Sequence, residues 1–241
     1  MEIIKGYIKN STPSIPFPSL PSEMLKLDDS VWKEWIFYHL LEFFQKYYNN
    51  EELKNTIERA KQNPKLKVEN EIAKFIRNTL RYDKHKQFKK FTNQGFLIEG
   101  GINNDLEKEG IYDISFLHSF WRENKEEEVV FHFECKNLKE KSKSNLIGKY
   151  VDNGVYRFFN GQYAQNQNFG GMIGFVLEGN YLNIKTKIHK NLKEKFDITP
   201  EGEGYLKKID DNKNNDFTFD SYHNRKKKEF VIHHLLFEIQ N

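Results

Sequence analysis

The sequence predicts an α/β protein with a central mixed sheet flanked by helices and a helical extension at the N-terminus. Apolar residues recur at helical spacing over the first third of the chain. Short runs rich in Ile, Val and Phe follow, bounded by glycines and polar clusters, which is typical of strands. A further helical pattern separates two of these runs. Helices, strands, a helix and another strand in this order indicate a mixed sheet.

The predicted elements follow the chain in order. Four prolines within nine positions predict an extended arm over residues 1–27, because each proline lacks a backbone donor and has a fixed φ. Apolar stripes predict helices at 28–49, 51–62 and 68–82, the second ending before Pro64. The remaining elements are expected as strands at 95–99, 110–120, 129–136, 172–178 and 230–239, helices at 146–164 and 181–196, and a polar connector at 203–216. We therefore expect an extension at 1–64 and a main domain at 65–241.

Composition narrows the classes of function. The 241 residues are 37% hydrophobic and 30% charged, which suits one domain with additions. The single cysteine, Cys135, excludes a disulfide framework, a Cys-rich zinc ribbon and a four-Cys iron–sulfur cluster. The net charge of +3 means that nucleic-acid affinity has to come from local clusters of Lys and Arg. No apolar stretch is long enough to span a bilayer and no secretory signal begins the sequence, so a cytoplasmic protein is expected.

Residues that could bind a metal or take part in catalysis occur on two predicted strands. Asp113 lies among apolar residues of the second strand, where a carboxylate is costly unless it is paired, hydrogen-bonded or bound to a metal. On the third strand, alternation places His132, Glu134 and Lys136 on one face. Two carboxylates and an ammonium suit Mg²⁺ and phosphodiester hydrolysis. The alternative is a solvated cross-strand ion pair on a half-exposed sheet.

These residues resemble the motif of the PD-(D/E)XK nuclease superfamily, which has a restriction-endonuclease-like fold. Its acidic residue on the second core strand corresponds to Asp113, and its Glu-x-Lys on the third to Glu134-Cys135-Lys136, 21 positions later. Tyr112 stands where the family often has proline. The resemblance implies that Asp113, Glu134 and the Cys135 carbonyl hold Mg²⁺, or Mn²⁺ as a substitute, and that Lys136 positions the attacking water.

The resemblance further implies a DNA endonuclease of restriction or phage-defence type that leaves 5′-phosphate and 3′-hydroxyl ends. Cutting both strands of a duplex calls for two sites, so a homodimer acting on double-stranded DNA is expected. The aromatic N-terminal helices would supply its interface or simply cap the domain. Family members often carry another carboxylate on the first core helix, and Glu69, rather than Glu71, lies nearer the apolar stripe. The alternative is an exposed Glu favoured by the helix dipole.

Several residues are candidates for nucleic-acid contacts. The helix after the third strand offers Lys149, Arg157 and Gln162. The guanidinium of Arg157 can bind a phosphate through two donors, or can form a structural ion pair. His223 and Arg225 belong to a cationic cluster that would bind a nucleic-acid backbone or form a solvated hairpin turn.

Two other functions compete with a nuclease. The same fold can serve as a catalytically inactive nucleic-acid-binding module. Alternatively, the N-terminal helices can mediate protein interactions on a scaffold formed by the sheet. The sequence leaves open the choice between DNA and RNA, the specificity and the biological role.

Overall fold

One mixed sheet forms the centre of the protein. The computed structural model describes residues 29–82, 96–100, 112–118, 130–165, 167–196, 205–211 and 215–239. The strands within them are β1 (Phe96–Glu99), β2 (Ile114–His118), β3 (Val130–Lys139), β4 (Phe169–Glu178), β5 (Leu206–Asp211), β6 (Thr218–Arg225) and β7 (Lys228–Glu238). Their order is β1-β2-β3-β4-β7-β6-β5. The pairs β3–β4 and β4–β7 are parallel and the other pairs are antiparallel.

Helices cover both faces of this sheet. The described helices are α1 (Asp29–Tyr47), α2 (Glu51–Gln62), α3 (Val68–Tyr82), α4 (Leu146–Tyr150), α5 (Tyr156–Phe159) and α6 (Tyr181–Phe196), with a π-helical turn (Val151–Val155) joining α4 to α5. Apolar residues of α1, α2 and α3 share one core cluster with one face of the sheet. Residues of α4, the π-helical turn, α5 and α6 share a second cluster with the other face. The predicted α/β class with a mixed sheet flanked by helices is therefore confirmed.

Local chemistry explains where the N-terminal helices begin and end. Asn50 caps α2, since its Oδ1 accepts a hydrogen bond from the Leu53 backbone N at 3.1 Å. The helix ends before Pro64, as the sequence predicts. The range predicted for α3 is confirmed, and its apolar stripe, including Ile72 and Ile76, is buried.

Helix α1 packs against one face of the sheet. Phe44 stacks on Phe237 of β7 at 4.0 Å between ring centroids, and Phe37 contacts Phe133 of β3 at 5.7 Å. The buried aromatic residues of α1 are thus used inside this chain rather than presented to a second copy. Residues on both sides of the boundary expected between residues 64 and 65 share this core. The division into an extension and a main domain stays a prediction.

The sequence interpretation is wrong over the last part of the sheet. The segment at 203–216, expected as a polar connector, contains strand β5, and β6 was not expected at all. The face of β6 that turns inward carries Ser221, His223 and Arg225, so its burial alternates without an apolar pattern. Strand β2 begins at Ile114, which leaves Asp113 in the bend just before it.

Some predictions fall outside the described residues. They concern the extended arm at 1–27 and the first part of the second predicted strand. Among the residues that are described, none of the helices combines the length and the apolar character needed to cross a membrane.

Candidate active site

Pairing of β2 with β3 brings the predicted carboxylates together. The antiparallel register aligns Ile114 with Phe133, so Asp113 lies beside Glu134 at the start of this ladder. The Cys135 backbone N donates a hydrogen bond of 2.7 Å to Asp113 Oδ2. Arg77 of α3 donates through Nη1 to the Asp113 main-chain carbonyl. These bonds fix the backbone and the side chain of Asp113 at the edge of β3.

The Lys136 ammonium lies among three oxygen atoms. Its Nζ is 2.5 Å from Glu134 Oε1, 2.9 Å from the Cys135 carbonyl oxygen and 3.2 Å from Glu69 Oε1. An ammonium has three donors, so these contacts use all of them. Lys136 is therefore held within hydrogen-bond distance of the candidate metal ligands Glu134 and Cys135.

Glu69 joins this cluster from the first turn of α3. Besides its contact with Lys136, its Oε2 accepts a hydrogen bond of 2.9 Å from the Asn137 backbone N. This geometry places Glu69 at the site predicted for the additional carboxylate. Glu71 points elsewhere and lines a different cavity, between α2 and α3.

Arg157 and Tyr163 border Glu134 on the other side. Arg157 Nη1 lies 3.2 Å from Glu134 Oε1 and 2.6 Å from the Tyr163 hydroxyl. Tyr163 itself is buried and also bonds to Glu134. Arg157 therefore forms the structural ion pair that its sequence position left open as an alternative, and it does so inside the candidate site. Tyr163 was missed, because only the fold of the loop after α5 brings it to Glu134.

Burial raises the pKa of both carboxyl groups in the cluster. Burial, followed by the neighbouring charge of Glu134, raises the pKa of Asp113 to about 7, against the hydrogen bond from Cys135 N. Burial also raises the pKa of Glu134, while Lys136 and Arg157 oppose it. Burial alone would lower the pKa of Lys136, but Glu134 and Glu69 outweigh it, so the net shift is upward. The site thus concentrates negative charge in a poorly solvated place.

The cluster opens into a cleft of about 490 Å³. One wall comes from the start of α3, the floor from β3, and the other wall from the helical segment at 146–159. The lining residues are Lys67, Glu69, Asn70, Asp113, Glu134, Lys136, Asn137, Leu146, Lys149, Asn153 and Arg157.

Gly154 allows this second wall to approach the sheet. A Cβ at this position would lie 2.4 Å from Met172 Cε and 3.7 Å from Lys136 Cγ. A residue without a side chain at position 154 thus permits close packing of this segment on the sheet.

Three of the residues predicted to bind nucleic acid lie outside the cleft. Gln162 belongs to the loop after α5. His223 is fully buried and its Nε2 bonds to Ser221 Oγ at 2.8 Å, while Arg225 donates to the carbonyl oxygens of Phe158 and Ala164 at 2.8 and 2.7 Å. The predicted contacts of His223 and Arg225 are therefore wrong, because both side chains are committed to the interior.

His132 has a packing role next to the site. Its ring stacks on Tyr112 at 3.5 Å between centroids, and its Nδ1 bonds to Ser115 Oγ at 2.8 Å. Burial lowers the pKa of His132 to about 3, so the ring is neutral near pH 7. The Tyr112 hydroxyl accepts a hydrogen bond of 3.1 Å from Ala164 N and so links the bend at Asp113 to the loop that carries Tyr163.

Comparisons with family models, curated proteins and solved structures give no match for this chain.

The donor set fits a hard divalent cation. Asp113 and Glu134 are neighbouring carboxylates, the charge of Glu134 helps to raise the pKa of Asp113, and the Cys135 carbonyl lies next to them. Oxygen ligands of this kind suit Mg²⁺ or Mn²⁺. In the described part of the chain, no three side chains of His, Cys, Asp or Glu form a metal-binding group. The candidate site therefore depends on two carboxylates and a main-chain oxygen, with Lys136 now bonded to two of these ligands.

Proposed function

We propose that this protein is a Mg²⁺-dependent nuclease with a restriction-endonuclease-like core, which hydrolyses DNA phosphodiester bonds in the cleft around Asp113, Glu134 and Lys136. The observation that carries the proposal is the meeting of these groups with Glu69 and Arg157 in one cleft. They come from α3, the bend before β2, strand β3 and helix α5, so no local feature of the chain brings them together.

The arrangement of the core supports the proposal. An antiparallel β1–β2–β3 meander is followed by a helical crossover to β4, which is parallel to β3. The acidic groups lie in the bend just before β2 and in the middle of β3, close to the places on the second and third core strands that the resemblance to the PD-(D/E)XK superfamily implies.

Each residue would have a distinct role in hydrolysis. Asp113, Glu134 and the Cys135 carbonyl would hold Mg²⁺ or Mn²⁺, which supplies a Lewis acid for a phosphate oxygen and a bound water. Lys136 orients the attacking water and offsets the charge that develops on the phosphate. Glu69 keeps Lys136 and the Asn137 backbone in place. Arg157, about two-fifths exposed, offers its remaining donors to a phosphate.

Other parts of the proposal come from the resemblance. They are 5′-phosphate and 3′-hydroxyl products, a homodimer on duplex DNA and a role in restriction or phage defence. The inactive binding module is the competing function.

Plasmid cleavage tests the proposal. Wild type is incubated with supercoiled plasmid and with a single-stranded oligonucleotide in Mg²⁺, Mn²⁺ or EDTA, beside Lys136→Ala and Lys139→Ala. Lys139 is a matched control because it lies on the same strand but pairs with Glu178 outside the cleft. We expect metal-dependent cutting by wild type and Lys139→Ala but not by Lys136→Ala. Equal cutting by all three proteins would contradict the assigned site, and binding without cutting by any of them would favour the inactive module.

A further inference from the structure

The turn between β6 and β7 presents two lysines in an unusual conformation. Arg225 pairs with Lys228, so Lys226 and Lys227 form a two-residue hairpin turn. Their φ angles are 51° and 64°, in the left-handed region that favours Asn and Gly at such turns. Both side chains are exposed, and neither has an ion-pair partner among the described residues. The chain thus accepts a strained turn that keeps two unpaired positive charges at its tip.

Buried contacts fix this turn against the loop that borders the candidate site. The Arg225 guanidinium donates to the carbonyl oxygens of Phe158 at 2.8 Å, Tyr163 at 3.2 Å and Ala164 at 2.7 Å. Tyr163 in turn bonds to Arg157. A continuous set of hydrogen bonds therefore joins the base of the hairpin to the wall of the cleft.

A line of polar side chains leads from the cleft to the turn. Lys149, Asn153 and Arg157 follow one another at intervals of four residues along the helical segment, and all three line the cleft. The chain then turns at Gly161, just after the end of α5, and a Cβ on Gly161 would lie 4.0 Å from Lys226 Nζ. The line therefore continues from the helix onto the hairpin tip.

The strand register gives the distance between the cleft and the hairpin tip. Glu134 aligns with Met172 of β4, which aligns with His234 of β7. Lys228 lies six residues before His234, which corresponds to about 20 Å along the strand at about 3.3 Å per residue. The hairpin tip is thus too far away to contact a phosphate that lies at Glu134, but it lies within reach of the same nucleic-acid molecule a few nucleotides further along.

We propose that Lys226 and Lys227 form a distal binding site for the phosphate backbone of DNA, reached from the cleft along Lys149, Asn153 and Arg157. This site rests on the proposed function only for the identity of its partner. It replaces the contacts predicted for His223 and Arg225: Arg225 anchors the hairpin from inside, and the two lysines that follow it bind the backbone.

The double variant Lys226→Asn/Lys227→Gly separates binding from folding. Asn-Gly is the preferred sequence for a two-residue turn with positive φ at both positions, so this variant is expected to have a higher Tm than wild type. Loss of two phosphate contacts makes the dependence of log Kobs on log salt concentration shallower by about 2, and weakens binding on the order of tenfold at 0.1 M salt. The control Lys54→Gln/Lys61→Gln removes the same charge from α2, on the other face of the sheet.

Binding is measured by fluorescence anisotropy with a labelled 30-base-pair DNA duplex and with its single strand, in EDTA so that cleavage plays no part. A shallower salt dependence in the hairpin variant alone, together with its higher Tm, supports the distal site. An unchanged slope, an equal change in the control, or no binding by wild type would overturn it. Cleavage of the same duplex in Mg²⁺ is measured separately. Cutting by wild type together with an unchanged salt dependence in the hairpin variant would refute only the distal site. The expected salt dependences without any cutting would refute only the proposed nuclease activity.

Discussion

Replacing Lys136 by Met should strengthen the binding of a divalent cation while it removes cleavage. In the protein alone, the ammonium occupies the oxygens of Glu134 and Cys135 that the proposed function assigns to the metal. The side chains of Lys136 and Glu134 are well shielded from solvent, since they are 14% and 3% exposed. A cation that binds these oxygens has to displace at least one of the lysine contacts, and Met makes none of them.

The size of the effect follows from those contacts. A hydrogen bond to a charged group contributes about 1.5–3 kcal/mol net. If one such bond is lost when the cation binds to wild type, the variant should bind about 10- to 150-fold more tightly. Removing a positive charge from the cleft also contributes, so Lys149→Met is the matched control: Lys149 lines the same cleft without bonding to these oxygens.

Calorimetric titration with Ca²⁺, chosen as a cation that reports binding separately from cleavage, measures the effect. We expect Lys136→Met to bind at least tenfold more tightly than Lys149→Met, and to cut no DNA in Mg²⁺. Equal affinities in the two variants would refute the competition between lysine and cation. Weaker binding by Lys136→Met would show that the lysine supports the site instead of occupying it.

Three further predictions concern the framework of the site. Arg225→Met leaves several buried carbonyl groups without their donor and should lower the free energy of unfolding by about 3–5 kcal/mol in urea. Burial lowers the pKa of His223 to about 3 in the folded protein, so its contribution to stability is complete above about pH 6.5 and is lost as the pH falls. His223→Gln should therefore gain about 2 kcal/mol relative to wild type between pH 7.5 and pH 5, and a constant difference would contradict this. Gly154→Val should reduce the cleavage rate, at a cost of about 1–3 kcal/mol in stability, because its side chain pushes against Met172 beside Lys136.

Elements with a clear apolar period were predictable. The second and third helices match their expected ranges, because caps, Pro64 and an apolar stripe act locally. The central strands β3 and β4 were also found, since both are long apolar runs, although the structure extends β3 to Lys139 and begins β4 at Phe169.

Strands β5 and β6 were missed for a physical reason. The inward face of β6 is polar, and its burial depends on partners that are distant in sequence. Ser221 Oγ bonds to His234 Nε2 at 2.7 Å, and Arg225 bonds to the loop after α5. Without these partners the same residues have the pattern of a cationic cluster, which predicts a nucleic-acid contact or a solvated hairpin turn rather than a buried strand.

The candidate site was likewise predictable only in part. Alternation along β3 placed Glu134 and Lys136 on one face, and the pairing of β2 with β3 added Asp113 as expected. Tyr163 was not predictable, because its contact with Arg157 depends on a loop whose course is set by hydrogen bonds to Tyr112 and Arg225.

The central claim is that Asp113 and Glu134 bind the metal used for phosphodiester hydrolysis. The most direct measurement is the initial rate of plasmid cleavage in Mg²⁺ by wild type and by Asp113→Asn, a variant that keeps the shape of the side chain and its acceptor for Cys135 N. We predict that wild type cuts only with the metal and that Asp113→Asn is slower by at least about 100-fold, a loss of about 2.7 kcal/mol in transition-state stabilisation. Cleavage by Asp113→Asn at the wild-type rate would contradict the assignment of the site.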